Sequence, residues 1–548
     1  MLNQKDIPDD LQKLADARDQ YLQEAAENPI TYQQIKEKLI SVREDALEKK
    51  NANIEDDTKK KKLDPYDVAR ILVDVCSFVM FFHGSKARLA TYDVESGIYT
   101  YDDSRLRIYI SYVAPRFNKS AADTVIYHLT NMIGAQPAAK PFSDPKYVPV
   151  GNGIYEPATH TLYPYKPTKF VINKIQTSLP WEEGGKLTIK RVTHPVLVPE
   201  IKSPRLSNID GTKWEFDSWL MTIANNDKEI YDLLWQVLAV VCNSNRQMGK
   251  AIFLLGNSTG TGNNGKGTFQ KLVENLVGDA NYETLKVNQF SERFALERLV
   301  GKSVAIGDDN PTNVMIKDKS NFNSIVTNDP VTVEPKGEKA FTATLNITTI
   351  QSCNAMPRFA DDGGVYRRMI IVPFNADFNG MKENKAIKEK YLATKDVLQY
   401  VLYKALDLGD FEHYSIPRAA KKALSQYEHN NNPVSSFIDD VWKSYDGHDG
   451  LDRIERLPMP YLYKVWKEYA KDNGYHDMGK NTFNQKALTR INEIGKTKGT
   501  HFTTKHKKIR KLDAEMILAE RNKQYRYVGE KEFPPGKTVD CLEKEKEK

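Results

Sequence analysis

Apolar and glycine positions are most sharply patterned at residues 251–278, AIFLLGNSTGTGNNGKGTFQKLVENLVG. Ala251 to Leu255 form an apolar run short enough for a buried strand. Gly256, Gly260, Gly262 and Gly265 follow, ending at Lys266. Beyond it Phe269, Leu272, Val273, Leu276 and Val277 recur at helical spacing until Gly278 supplies a stop. The pattern predicts strand, glycine loop and helix in immediate succession.

Upstream the pattern changes character several times. Leu11, Leu14, Tyr21 and Leu22 have helical spacing in a polar segment, predicting a helical hairpin broken near Pro29, either a solvated arm or an oligomerisation element. Residues 48–62, EKKNANIEDDTKKKK, lack apolar periodicity and read as a flexible charged linker. Asp64-Pro65 caps a predicted helix carrying Ile71, Leu72, Val75 and Phe78. LATYDVESGIYTYDD alternates around Ser96-Gly97, as a hairpin does, and residues 146–167 continue as strands punctuated by Gly151, Gly153, Pro157 and Pro164. WEFDSWLMTI and YDLLWQVLAVVC are helical patterns leading into the 251–255 strand.

Downstream, Val304 to Ile306 is a short strand ending at Asp308 and Asp309. Val331–Glu334 and Phe341–Leu345 flank Lys336-Gly337 as a hairpin, with Lys336 and Lys339 at its tip. Ile347–Ile350 is another strand, ending near Asn354, and VYRRMIIVPF places Arg367 and Arg368 before a last one. Residues 381–428 are lysine-rich and helical, a lid or collar. Asn430 to Pro433 reads as a linker. FIDDVWKSY, YLYKVWKEYA and NTFNQKALTRI then give three helices before a strand-like basic region, the winged-helix order.

Composition narrows the class. The 548 residues allow three or four domains; 40% hydrophobic and 28% charged residues are ordinary for a globular chain. Cys76, Cys242, Cys353 and Cys541 are scattered, which excludes a disulfide scaffold or zinc ribbon and suits a reducing cytoplasm. Ile71–Phe82 is too short and too interrupted to span a bilayer, so no membrane partner is expected, and the N-terminus lacks an apolar signal core. A net charge of +6 is mild, so nucleic-acid affinity must come from local clusters.

The chemistry follows from the first pattern. Backbone N–H groups of a glycine loop can turn inward around phosphates, the helix N-terminus adds partial positive charge, and Lys266 reaches the terminal phosphates. Gly260, Gly262, Asn264, Gly265, Lys266, Gly267 and Thr268 therefore form the expected ATP cradle. Gly267 stands where Ser or Thr usually helps to hold Mg²⁺, and Thr268 can substitute. Asp308 and Asp309, at the end of a buried strand, suit a carboxylate on Mg²⁺ and one on the attacking water. Arg367 and Arg368 read either as surface ion-pair partners or as a finger reaching a neighbour's γ-phosphate. Lys496 to Lys511 contain seven Lys or Arg and no acid, so Lys505, Lys507, Lys508 and Arg510 are candidate phosphate contacts on duplex DNA. Asp93-x-Glu95 lacks a third ligand in pattern and reads as turn residues rather than a primase metal pair.

Five motifs then stand in order: G-T-G-N-N-G-K-G-T-F, Asp308-Asp309, T-N-D-P-V-T-V-E-P-K-G, S-C-N-A-M-P-R-F and V-Y-R-R-M-I-I-V-P-F. Together they resemble the superfamily 3 helicase core of the phage/plasmid and poxvirus-type primase-helicase family. The resemblance covers residues 206–376 and extends back through V-G-N-G-I-Y and forward to N-N-P-V-S-S-F-I and Y-K-V-W-K-E-Y. It implies a hexameric ring that hydrolyses ATP with Mg²⁺ to move along single-stranded DNA and open duplexes. It implies that Lys266 binds phosphate, Asp308 holds Mg²⁺, Asp309 activates water and Asn354 senses the γ-phosphate. Lys336 would grip DNA in the channel, and Arg367 or Arg368 would be the finger. Three positions depart from the family pattern: Asp309 where Glu is common, Gly267, and Asn328 where Gly is common, although Asn tolerates the same left-handed backbone.

The expected architecture is α/β, an AAA+-like P-loop ATPase core between an N-terminal α+β domain and a C-terminal winged-helix-like module. The expected divisions are 1–62 arm and linker, 63–205 N-terminal domain, 206–380 core, 381–432 lid, 433–530 DNA-binding module and 531–548 disordered tail. The expected function is a replicative DNA helicase of a phage or mobile element, with single- and double-stranded DNA, further copies of itself and replication proteins as partners. An origin-binding initiator ATPase and a bifunctional primase-helicase are the alternatives.

Overall fold

A computed structural model describes residues 31–54, 58, 60–83, 86–135, 137–208, 211–256, 263–311, 315–337, 339–359, 364–378, 384–442, 455–473, 475, 478–496, 500–512 and 533–545. The first arm of the expected helical hairpin, before its break near Pro29, and Gly260 and Gly262 of the glycine loop lie outside them. The chain divides into two compact units, 1–421 and 422–548.

In the first unit, an α-helical and β-hairpin layer comes first. Asp64 caps the helix Pro65–Val75 by accepting from the Tyr66 and Asp67 amides, with Pro65 in the first turn where its missing N–H costs nothing. The strands Phe78–His83, Lys86–Asp93 and Ile98–Thr100 form an antiparallel sheet, turning at Gly97 (φ 78°) as the alternation predicts. The helix Tyr32–Asn51 is not a solvated arm: Ile35 and Leu39 are buried in the core formed with Val68, Leu72, Phe78 and Tyr109. Asn51 exchanges two hydrogen bonds with the backbone of Lys61, which fastens the end of the expected linker.

A four-stranded antiparallel sheet follows, Val148–Val150, Gly153–Glu156, Thr161–Tyr163 and Val196–Leu197. Its Val148, Val150, Tyr155 and Leu162 share one hydrophobic core with the helices Phe216–Ile223 and Lys228–Cys242. Packing therefore runs across the expected division at 205. The expected lid also joins this core, since Val397, Val401 and Leu402 of the helix Lys395–Leu406 are buried in it.

The centre of the unit is a parallel sheet of five strands: β1 Ala251–Gly256, β2 Tyr282–Thr284, β3 Val304–Gly307, β4 Thr348–Cys353 and β5 Met369–Phe374. Their spatial order is β2-β3-β4-β1-β5, every pairing parallel. The four longer strands are almost wholly buried, as strands covered on both faces must be; β1, β3 and β5 are apolar, whereas β4 (TTIQSC) carries buried polar side chains. Parallel neighbours need crossovers, and the helix Lys266–Val277 provides the first, ending at Gly278 with φ 86°. The carboxyl ends of such strands converge on one edge, where open α/β sheets place their ligands.

The second unit contains the helices Pro433–Trp442, Met459–Asp472 and Lys480–Lys496 and an antiparallel sheet. Phe437, Leu462, Trp466, Phe483 and Ile491 form its core. The sheet order is Arg456–Pro458, Thr538–Lys544, Phe502–Lys508. The expected disordered tail is thus corrected over 538–544: its strand is central, with Cys541 and Leu542 buried. Charge masked those apolar positions in the sequence. Glu543 pairs with Arg456 at 2.8 Å and Asp540 lies 2.9 Å from His506, so the acidic residues are cross-strand partners rather than solvating charge.

Candidate nucleotide site

The site sits at the carboxyl edge of the parallel sheet. Gly256 ends β1, and a Cβ there would lie 2.5 Å from Lys266 Nζ, so only glycine lets the lysine fold back over the strand. Gly265 holds φ 88° at the helix start, and a Cβ there would meet Ile223 at 2.9 Å. Lys266 is 7% exposed, and its Nζ donates to Asn264 Oδ1 at 2.8 Å and Asn354 Oδ1 at 2.9 Å. Burial pushes its pKa down, against the attraction of Cys353, Asp308 and Asp309. Burial raises the Cys353 thiol to about 12, leaving it neutral and inert.

Asp308 and Asp309 project from the end of β3, both exposed. Asp309 has a left-handed backbone, φ 48°. Asn354, just past β4, donates through Nδ2 towards Asp309 Oδ1 at 3.5 Å. One amide therefore spans the lysine of the first motif and the acid of the second. Thr268 lies half-buried in the first turn of the helix. A hard cation bound with a nucleotide takes one or two protein oxygens plus phosphate oxygens, and the Asp308 carboxylate and the Thr268 hydroxyl are oxygen donors of that kind. No cluster of three or more His, Cys, Asp or Glu able to hold a metal alone occurs among the described residues.

Sequence reading missed the groups that hold the acids. Ser352, 1% exposed, donates from Oγ to Asp308 Oδ1 at 2.6 Å and accepts from the Asp309 amide at 3.0 Å. Asn310, equally buried, uses its side chain to bridge β3 to the Gln351 side chain and the Ser352 carbonyl. A signal for Ser352 existed: it precedes Asn354 by two residues, and residues two apart in an extended strand share a face.

Arg367 and Arg368 lie in the single turn Tyr366–Arg368 that opens β5. The register pairs Met369 with Ala251 and Phe374 with Gly256, so the arginines sit at the amino end of the sheet. Five residue steps of strand, about 17 Å at roughly 3.3 Å each, separate that end from Gly256 beside Lys266. The two arginines differ: Arg367 is exposed, whereas Arg368 donates to the Gly364 carbonyl at 2.8 Å. Lys250 donates to the Arg367 carbonyl.

The lysine hairpin forms as expected, Val331–Val333 pairing with Phe341–Ala343, with Gly337 at φ 79°. Lys336 and Lys339 are exposed at its tip, and the Lys336 amide donates to Glu297 at 3.2 Å. Asn328 has φ 59°, the left-handed backbone foreseen for it. Asp93 and Glu95 both pair with Arg105, at 3.3 and 2.8 Å, which gives them a structural partner. In the second unit, Lys505 and Lys508 are exposed, Lys507 is half-buried, and Arg510 pairs with Glu455 at 2.5 Å. No helix among the described residues is long and apolar enough to cross a membrane.

Comparison with known proteins gives two family matches. Residues 258–368 match the model of a family of unknown function, DUF5906, and residues 429–530 match the model described as poxvirus D5 protein-like. Among solved structures, the chain is similar to the apo structure of the NrS-1 C-terminal region (305–718). Identity there is 12%, over 88% of this chain and 99% of that one, with a TM-score of 0.42. It is also similar to the A form apo structure of the NrS-1 C-terminal region, at 14% identity over 80% and 87% of the two chains, with a TM-score of 0.38. The D5-like match lies behind the ordered helicase motifs, so over residues 429–530 the chain is similar to the D5-type superfamily 3 helicases.

Proposed function

We propose that the chain is an ATP-dependent replicative DNA helicase of a phage or mobile element, working as a ring on single-stranded DNA. The observation that carries this reading is the Asn354 amide, which joins Lys266 to Asp309 across two motifs 45 and 88 residues away. The β2-β3-β4-β1-β5 order supports an AAA+-like core, and three helices with a three-stranded antiparallel sheet support a winged-helix-like module in the second unit.

In this reading Lys266 and the helix N-terminus neutralise the terminal phosphates of ATP, and Asn264 and Gly265 shape the loop around them. Asp308 and Thr268 would hold Mg²⁺, which supplies charge neutralisation at the β- and γ-oxygens. Asp309 takes the proton of the attacking water, and Asn354 orients the γ-phosphate. Arg367 or Arg368, remote from their own site, act on a neighbour's. A ring that sets the amino edge of one sheet against the carboxyl edge of the next provides that contact. Lys336 and Lys339 grip single-stranded DNA, while the basic strand that carries Lys505, Lys507 and Lys508 meets duplex phosphates.

The test is DNA-stimulated ATP hydrolysis measured alongside strand displacement on forked DNA, for the natural protein and Lys336→Ala. A helicase displaces the strand, and the variant hydrolyses ATP without doing so. Hydrolysis with no displacement by either protein would replace this reading with an origin-binding initiator.

A further inference from the structure

We propose that Ser352 is a positioning residue that sets the orientation of both catalytic acids at once; this rests on reading Asp308 and Asp309 as the metal- and water-directed groups of an ATP site. The direction of its two hydrogen bonds is fixed by chemistry. An amide N–H only donates, so at 3.0 Å from the Asp309 nitrogen the Ser352 oxygen must accept. Its single proton is then left for Asp308 Oδ1, 2.6 Å away.

The two bonds do different things. The first holds a strained backbone: Asp309 is a non-glycine residue at φ 48°, a conformation that persists only when neighbours fix it. Those neighbours are Ser352 Oγ on its N–H and Lys286 Nζ on its carbonyl at 3.0 Å. Asn310 continues the clamp, its amide donating to the Ser352 carbonyl at 2.9 Å and its side chain to the same oxygen at 3.0 Å. Asn310 Oδ1 accepts from the Val287 amide at 2.9 Å, which ties the turn to the segment after β2.

The second bond occupies one oxygen of Asp308 and leaves Oδ2 without a hydrogen-bond partner among the described residues. A carboxylate so held offers one oxygen, in one direction, to a cation. Partners of this kind are worth about 10–100-fold in metal affinity or activity when removed. Because Ser352 lies on β4 and Asn354 directly follows its end, a shift of that strand would move the acids and the γ-phosphate contact together.

The experiment compares Ser352→Thr with Ser352→Val in the full chain, since these side chains have nearly equal volume and differ in the hydroxyl. Mg²⁺-dependent ATPase is measured together with Mn²⁺ binding, by electron paramagnetic resonance, in the presence of a non-hydrolysable ATP analogue. The Thr variant is expected within about 3-fold of the natural protein. The Val variant is expected to need about 10-fold more cation in both measurements and to lose about 10–100-fold in kcat, with KM for ATP at saturating Mg²⁺ unchanged. Equal cation dependence of Thr and Val variants would overturn the proposal. Lys266→Ala and Asp308→Asn run in parallel: if both keep full Mg²⁺-dependent hydrolysis, the ATP-site reading itself fails, which is a different result from an indifferent Ser352.

Discussion

Lys266 Nζ lies 2.9 Å from Asn354 Oδ1 although 88 residues separate them in the chain. With Asn264 on its other side, the buried ammonium is satisfied by two amide oxygens and no carboxylate. A neutral cradle around a buried cation is an incomplete one, because no carboxylate touches the charge and Asp308 and Asp309 attract it only from a distance. An anionic phosphate completes it.

That incompleteness has a thermodynamic sign. Burial holds the Lys266 pKa below its ordinary value, so keeping it charged at neutral pH opposes folding. Between the folded value and the usual lysine value the unfolded chain binds more protons, so the cost fades as pH rises through that window. Lys266→Met should therefore lose ATP hydrolysis by at least about 100-fold while its Tm at pH 7 equals or exceeds that of the natural protein. The Tm difference should shrink as pH approaches the ordinary lysine range. A Met variant melting several degrees lower at pH 7 would mean that the two amide bonds outweigh the buried charge.

The arginine pair gives a sharper expectation than the sequence did. Arg368 is folded back onto the Gly364 carbonyl, whereas the Arg367 side chain is exposed. Arg367→Ala should abolish hydrolysis without lowering Tm, while Arg368→Ala should lower Tm by a few degrees through loss of a half-buried bond. Mixing Arg367→Ala with Lys266→Ala subunits should restore part of the ATPase, because some interfaces then join an intact loop to an intact finger. No activity at any ratio, with co-assembly verified, argues against a shared site.

A stability hinge lies behind the site at Asp217, which heads the helix Phe216–Ile223 that ends against Gly265. Burial alone would raise its pKa, but hydrogen bonds from Lys404, Tyr400 and Tyr231 win and hold it down. A carboxylate with a depressed folded pKa contributes stability above its unfolded value, near 4, and loses it as pH falls through the folded value. Asp217→Asn should thus cost about 1–3 kcal/mol at pH 7. The deficit should be much smaller near pH 3. Urea midpoints at the two pH values decide it, and a deficit independent of pH would assign the effect to shape rather than charge.

How much of this was legible depends on how local each signal was. The strand and the helix on either side of the glycine loop, the Asp64 cap, the Gly97 turn and the left-handed Asn328 were readable because each is written in a few adjacent residues. The ordering of Asp308 by Ser352 was not, since it depends on β3 and β4 being neighbours, a fact of topology 44 residues removed. The helix Tyr32–Asn51 and the strand Thr538–Lys544 were misjudged for a shared reason. Each buries few apolar residues in a charged context, so average polarity hid Ile35, Leu39, Cys541 and Leu542. Likewise, the shared core of the 148–198 sheet and the parallel sheet's helices leaves no trace in composition, because both sides contribute ordinary apolar residues.

The basic strand of the second unit allows a residue-level salt experiment. Side chains alternate along a strand, so Lys505 and Lys507 share one face of Phe502–Lys508 while Lys508 projects from the other. A single duplex laid on one face cannot engage all three equally. Arg510 is already paired with Glu455, and His506 lies beside Asp540. Each phosphate neutralised contributes about −0.9 to the slope of log affinity against log salt. Replacing Lys505 and Lys507 together by alanine should flatten the slope for duplex DNA by about 2. Replacing Arg510 should change it by well under 1, because its charge is largely spent within the protein. Whether Lys508 behaves like the pair or like Arg510 reports which face meets DNA. The measurement is duplex affinity from about 50 to 200 mM salt for each variant, with ATP hydrolysis off DNA as the control that the first unit is intact. If neither the Lys505/Lys507 pair nor Lys508 moves the slope, the strand is solvated surface, and duplex binding must be sought in the first unit.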